Sequence, residues 1–430
     1  MGTNTAVSRL RGDGRGWTLI AIALGWVFVL GGRFLVPAVL PQVKTTFAVG
    51  NLGVGIAVTL MWATYALMQS PAGILIDRLG EQRLLTGSLL LTAGSVVILG
   101  VAPVFIIFLC GCGVFGLATG LYGPARGTAL SRTFPSNDSA AIGATLAAGS
   151  VGSAVLPLTA GAVVDGLGWR VVIASLVPLL VVTSVFTHRV IANRHTTASQ
   201  SVSKSTSASA NTSESASRSR TASIQGLIAN GIRALRHRGV ALAGTAVALM
   251  LFAFQGLSAF YVTYLVSAKQ LDQSLAAGML ALLFLGGAIT QVTAGAITTR
   301  FGERITLTAM TVIGVPALIA VPLVDGIAPL AVVSVLIGSR LGIAPVSNAY
   351  IIAVLPDTVT GTAWGTLRSG FFLFGATGST VVGAMASREL LAESFFLLAG
   401  VTAIAAVLYA RLPARTVTNS DTQTETHISE

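Results

Sequence analysis

Three arginines, Arg33, Arg340 and Arg368, lie inside long apolar stretches, and no acid in those stretches is there to neutralise them. All 15 Asp and Glu fall in polar connections, in tails or at segment ends. An arginine near the middle of a bilayer costs at least about 2.5 to 3.5 kcal/mol on insertion scales, so each should face a cavity and a partner. A guanidinium without an acid partner is a planar fork of donors that suits a carboxylate or a phosphate oxygen pair. The chemistry implied is recognition of an anion, with the ligand as the missing counter-ion. Tyr65 and Tyr122 join the candidate binding set because both neighbour glycine-rich or polar stretches at depth.

The same inventory argues against catalysis. His188, His195, His237 and His427 sit at segment ends or in tails, and no nucleophile is paired with a base. Cys110 and Cys112 lie in an apolar run without a histidine pair, so they read as packing residues, and neither a metal nor another cofactor is expected.

The elements that position the arginines are membrane helices. Hydrophobic residues make up 53% of the 430 and charged residues only 10%, with a mean hydropathy of +0.82, far from the roughly 25% charged composition of soluble domains. Apolar segments long enough for about 20 residues of helix number six before residue 190 and six after 238. The expected fold is an all-α integral membrane protein with twelve transmembrane helices in two pseudo-symmetric six-helix bundles. It divides into an N-terminal tail (1–16), a first bundle (17–189), a Ser-rich linker (190–238), a second bundle (239–411) and a C-terminal tail (412–430).

Charge sets the expected orientation. With the N-terminus inside, Lys44, Arg170, Lys269 and Arg388 fall outside, the three arginines above fall within the membrane, and the other 19 of the 26 Lys and Arg, Arg126 among them, fall on the cytoplasmic side. Both termini are therefore expected in the cytoplasm and the chain in the cell membrane. The +11 net charge reflects this topology rather than nucleic-acid binding. Thr196 to Ser223 is almost entirely Ser, Thr, Ala and scattered charge and should stay disordered, while Arg233, Arg236 and Arg238 form a basic cluster expected at the headgroups.

The halves are related by an offset of 222 residues. Gly73, Asp77, Arg78, Gly80 and Glu81 recur as Gly295, Thr299, Arg300, Gly302 and Glu303. The same register joins Gln69 to Gln291, Gly116 to Gly338, Gly143 to Gly365 and Gly161 to Gly383. It also pairs Arg33 with Gln255, Arg340 with Ala118, and Arg126 with Asn348. Polar groups at equivalent depths in facing halves are what a central site between repeats would show, which adds Gln255 and Asn348 to the binding candidates.

The spacing Gly73, Asp77, Arg78, Gly80 with Arg83 nearby resembles the signature between the second and third helices of the major facilitator superfamily of secondary transporters. The chain departs from it at Glu81 and Gln82, where the family usually has Lys or Arg. Tyr65, Gln69 and Pro71 with that signature resemble the pattern of organic-anion and organophosphate members. The resemblance implies that helices one, four, seven and ten line a central cavity, which would place Arg33, Tyr122, Gln255 and Arg340 on its walls. It also implies alternating access, with Gly73, Asp77, Arg78, Gly80, Arg83, Gly295, Arg300 and Gly302 as gate hardware. The expected partners are the lipid bilayer and a small-molecule substrate, with a proton or a counter-anion as options for coupling, no nucleic acid and a monomeric chain. The favoured substrate is a small organic anion. An exporter of drugs or hydrophobic compounds with the same fold, and a transporter-derived sensor, stay open.

Overall fold

The computed structural model describes residues 15–135, 137–202, 237–355 and 360–413. The linker beyond residue 202, the basic residues Arg233 and Arg236 and most of both tails lie outside them. Among the described residues, twelve helices are long and apolar enough to cross a membrane. In the first half they are α1 (Arg15–Ala38), α2 (Asn51–Leu79), α3 (Glu81–Val101), α4 (Phe105–Thr133), α5 (Ala140–Leu167) and α6 (Trp169–Ile191). In the second half they are α7 (Arg238–Ser267), α8 (Gln273–Phe301), α9 (Glu303–Leu323), α10 (Ile327–Val354), α11 (Trp364–Ala386) and α12 (Leu391–Ala410).

The 222-residue register is physical. Gly80 and Gly302 separate α2 from α3 and α8 from α9, and they share one backbone conformation, φ 78° and ψ 160° against φ 79° and ψ 161°. Side chains are strained there, which explains glycine at both positions. Each turn leads into an acid, Glu81 or Glu303, in the first turn of the next helix. A carboxylate at that end complements the exposed N–H groups and the macrodipole, and Glu81 also pairs with Arg132 at the end of α4 at 2.6 Å. Local helix electrostatics thus account for acids where the family pattern is basic. Packing inside the halves follows the same register: a Cβ on Gly116 would strike the Met61 carbonyl oxygen, and one on Gly338 would strike that of Leu283.

The halves meet chiefly where α2 packs on α11 and α5 on α8. At the end carrying Ala38, Asn51 and Ser387 they are sealed. Asn51 Nδ2 donates to the Ala386 carbonyl at 3.0 Å, the Leu52 amide to Ser387 Oγ at 2.9 Å, and Gln273 Nε2 to the Ala38 carbonyl at 2.6 Å. A Cβ on Gly55 would lie 2.5 Å from the Ser379 carbonyl oxygen, and Gly161 is pressed against Ala277. Those two crossings are one crossing repeated, because 55 and 383 become 277 and 161 under the offset. Toward the opposite end, which carries Arg15, Arg78, Arg238 and Arg300, a Cβ added to Gly73, Gly143, Gly295 or Gly365 would meet nothing within 4 Å. The bundle is closed at the far end, and contacts between the halves continue to Ser70–Ser369 at 3.2 Å and Ser150–Gln291 at 3.4 Å, beyond which the linker end is parted.

Helix α10 departs from its counterpart in the first half. Helix α4 runs unbroken, whereas α10 is α-helical over Ile327–Gly338, 3-10 over Ser339–Gly342 and α-helical again over Ile343–Val354. Short 3-10 stretches inside long helices mark hinges or strain, and this one carries Arg340.

Candidate functional site

A cavity of about 580 Å³ lies between the halves. Arg33, Arg126, Arg340 and Arg368 line it, and no Asp, Glu, Lys or His does among the described residues. Helix α1 brings Arg33, α4 Arg126, α10 Arg340 and α11 Arg368. The expected residues Arg33, Arg340, Arg368, Gln255 and Tyr65 are thus brought together.

The four guanidinium groups are held differently. Arg33 is 1% exposed. Its Nε donates to Thr119 Oγ1 at 3.3 Å, and its Nη2 to the Thr119 carbonyl at 3.1 Å. The guanidinium carbon sits 3.8 Å from the Tyr65 ring centroid and 5.3 Å from that of Trp62. Such cation–π contacts contribute about 2 kcal/mol when desolvated. Arg126 is held similarly: its Nη1 donates to Thr145 Oγ1 at 2.6 Å, and its guanidinium lies 4.5 Å from the Trp26 ring. Arg368, half-buried, lies 5.8 Å from the Phe372 ring, which packs edge-on at 5.4 Å against the Tyr65 ring.

Arg340 stands apart, on α10 against α7 and α9. Its aliphatic stem lies over Gly314 of α9, where a Cβ would come within 2.8 Å of Cγ and Cδ. Its Nη2 makes only a 4.0 Å contact with Met250 Sδ, while Nε and Nη1 have no hydrogen-bond partner. Gln255, 1% exposed, has no partner for either amide atom. A buried polar group without a partner costs roughly 1 to 3 kcal/mol, so these atoms are poised for something that enters the cavity.

Several sites fall elsewhere than the sequence suggested. Tyr122 is buried but does not line the cavity: its hydroxyl donates to the Ile22 carbonyl at 2.9 Å, and its ring stacks on Trp26 at 6.1 Å. It supports Trp26, which in turn carries Arg126. Asn348 is half-buried and also outside the lining. Arg126 corrects the assignment of all its neighbours to cytoplasmic charge. Because α4 continues to Thr133, Arg126 sits about 10 Å inside the helix end, and the register pairing with Asn348 was the signal that marked it. Trp26, Gln69 and Phe372 also line the cavity.

Among the described residues, the turn residues make no contact across the halves in this conformation. Asp77, Arg78, Arg83 and Arg300 are exposed, with Arg300 resting 5.4 Å from the Phe301 ring, while Gly73 and Gly295 face open space. The ceiling of the cavity is aromatic and built by both halves. Phe34 of α1 packs at 4.5 Å from Phe284 of α8 and 5.9 Å from Phe254 of α7, and Trp62 of α2 stacks on Phe372 of α11 at 6.2 Å. Trp62 and Phe284 are themselves equivalent under the offset.

Several known proteins are similar. A bacterial homologue of the human lysosomal transporter Spinster, solved inward-facing and unoccupied, aligns with a TM-score of 0.74 at 16% identity over 93% of this chain and 97% of its own. The nucleoside transporter NupG aligns with a TM-score of 0.74 at 13% identity over 93% of this chain and 100% of its own. These likenesses concern the fold. By sequence, the multidrug resistance protein Stp of Mycobacterium tuberculosis is 31% identical over 156 residues, 36% of this chain and 29% of that protein. The drug efflux pump JefA of the same organism is 32% identical over 166 residues, 38% of this chain and 32% of that protein. The chain therefore spans about a third of the length of either relative. The model of the Major Facilitator Superfamily matches residues 22–344 and 279–429. With that match across both repeats and twelve membrane-spanning helices around one central cavity, the chain belongs to the Major Facilitator Superfamily of transporters, not to an enzyme family.

Proposed function

We propose that this transporter carries a small organic anion, a carboxylate or a phosphoester, by alternating access. The observation that carries the reading is the cavity lining: four arginines without one acid among the described residues, three of whose buried donor atoms, Nε of Arg126 and Nε and Nη1 of Arg340, lack a partner. A cavity of that kind attracts anions and repels cations. The same lining bears on coupling. With no carboxylate to carry a proton there, exchange of anions, uniport, or symport in which the substrate itself brings the proton fits best. On the topology set by the positive residues, the parted end faces the cytoplasm of a cell-membrane protein.

A second reading is favoured by the names of the sequence relatives, a multidrug resistance protein and a drug efflux pump, and by the aromatic ceiling. In that reading the aromatic surfaces hold an amphipathic compound and the arginines select its charge. Flux measured in proteoliposomes separates the two. Saturable uptake of members of a carboxylate and phosphoester panel, lost in Arg340→Gln, supports anion transport. Flux of neutral and cationic amphipathic dyes, with none of the anions and no effect of Arg340→Gln, overturns it.

A further inference from the structure

The partnerless polar atoms of the cavity form a pattern more specific than positive charge. Among the described residues, twelve buried side-chain atoms lack a hydrogen-bond partner, and seven of them belong to residues that line this cavity. Six are donors: Trp26 Nε1, Gln69 Nε2, Arg126 Nε, Gln255 Nε2, and Nε and Nη1 of Arg340. The seventh is an acceptor, Gln255 Oε1. Because both amide atoms of Gln255 are free, the count does not depend on which is nitrogen.

We infer that the ligand is a two-headed anion, with a hydroxycarboxylate head held by Arg340 and Gln255 and a second anionic group held by Arg33, Arg126 and Arg368. This rests on the reading of the protein as an organic-anion transporter and specifies the substrate class.

Charge supplies the first argument. Three buried guanidinium groups and the half-buried Arg368, without an acid, leave a monoanion far short of neutralising the site, and uncompensated charge at low dielectric is costly. Position supplies the second. Arg33 and Arg126 share the Trp26 ring, and Arg368 lies against Phe372, which packs on the Tyr65 ring that holds Arg33, while Arg340 lies apart against Met250 and Gly314. The cavity is therefore bipolar, with three cations at one pole and one at the other. Its volume of about 580 Å³ accommodates an anion long enough to reach both.

The hydroxyl follows from Gln255. Carboxylate oxygens satisfy the donors of Arg340 and Gln255 Nε2 but cannot serve Gln255 Oε1, which needs a hydrogen from the ligand. Met250, which touches Arg340, precedes Gln255 by five residues on α7, about 7.5 Å along the axis, and all three line the cavity, so one ligand can reach both the amide and the guanidinium. An ammonium group would bring a fifth positive charge beside Arg340. A hydroxyl supplies the hydrogen without that charge. The head is thus a carboxylate with a hydroxyl next to it, and a site that hydrogen-bonds such a hydroxyl discriminates against the analogue that lacks it.

The test is equilibrium binding to the purified full-length protein in lipid nanodiscs. The probes are 2-hydroxy-α,ω-dicarboxylates of four to eight carbons, the same dicarboxylates without the hydroxyl, and 2-hydroxy monocarboxylates of matching length. At the best-fitting length the hydroxy dianion is expected to bind at least about tenfold more tightly than either comparison compound. The preference over the deoxy compound should fall toward one in Gln255→Leu and Gln255→Met, two variants of similar volume, so that a folding defect in one leaves the other. A ratio near one in the native protein, a monoanion that binds as well, a ratio unchanged in the Gln255 variants, or no binding by any probe overturns the proposal. If other anions still bind native protein and lose affinity in Arg340→Gln, the organic-anion reading survives that failure; if none does, both fall.

Discussion

The Arg33 guanidinium lies 3.8 Å from the centre of the Tyr65 ring and hydrogen-bonds through Nε and Nη2 to Thr119, so α1, α2 and α4 are clasped at one buried cation. The clasp predicts a split between two substitutions. Tyr65→Phe keeps the ring face and is expected to cost less than about 1.5 kcal/mol. Tyr65→Ala removes the face and leaves a cavity, at about 3 kcal/mol or more. Reversible unfolding in detergent, followed by tryptophan fluorescence, measures the difference.

Arg340 should show the opposite balance of stability and function. Its Nε and Nη1 are buried without partners, so Arg340→Met removes an uncompensated charge and is expected to raise thermal stability by about 1 kcal/mol or more while eliminating anion binding. For Arg33→Met the expectation is lower stability, because three rings and a threonine lose their partner. Melting curves of the two variants side by side decide this. A fall in stability for Arg340→Met would show that the native guanidinium is satisfied.

The glycine crossings predict which contacts form when the linker end closes. At the far end Gly55 meets Gly383 and Gly161 meets Ala277, and helix ends that rock about the middle of the bundle exchange such contacts for equivalent ones. Cysteines replacing Gly73 and Gly365, or their register partners Gly295 and Gly143, should cross-link only when the far end opens. Gly55→Leu, which clashes in the present conformation, should raise the cross-linking yield several-fold. Gel shifts after oxidation, with and without Gly55→Leu, read the outcome.

Gly80→Ala and Gly302→Ala should behave alike, because the two residues share one strained backbone conformation. Each is expected to cost about 1 to 3 kcal/mol. By contrast Glu81→Gln, which breaks an ion pair with the largely exposed Arg132, should cost less than about 1 kcal/mol. The same unfolding assay ranks the three.

Much of this was legible in the amino-acid sequence because lipid imposes strong rules. Twelve long apolar segments have one structural solution, the helix, since no water is there to satisfy a bare backbone. A repeated glycine-bounded turn then set the register, and the register alone pointed to Gln255 opposite Arg33. Side-chain direction was not legible. Tyr122 and Arg126 stand one helical turn apart on α4, and only packing decides that the tyrosine turns toward Ile22 while the arginine reaches the cavity. The conformation in which each charge finds its partner was equally hidden: Asp77 and Arg78 stand exposed at a parted interface, and composition cannot say which end of a rocking bundle is shut. The 3-10 stretch in α10 had no sequence mark either, since Gly338 and Gly342 match glycines of the unbroken α4.

That stretch acts as a screw thread. A 3-10 helix advances about 2.0 Å and turns about 120° per residue, against 1.5 Å and 100° for an α-helix. Rewinding Ser339–Gly342 as α-helix would shorten α10 by about 2 Å and twist Ile343–Val354 through roughly 80° relative to Ile327–Gly338. Arg340 lies on the thread itself, so any such rewinding would move its guanidinium within the cavity.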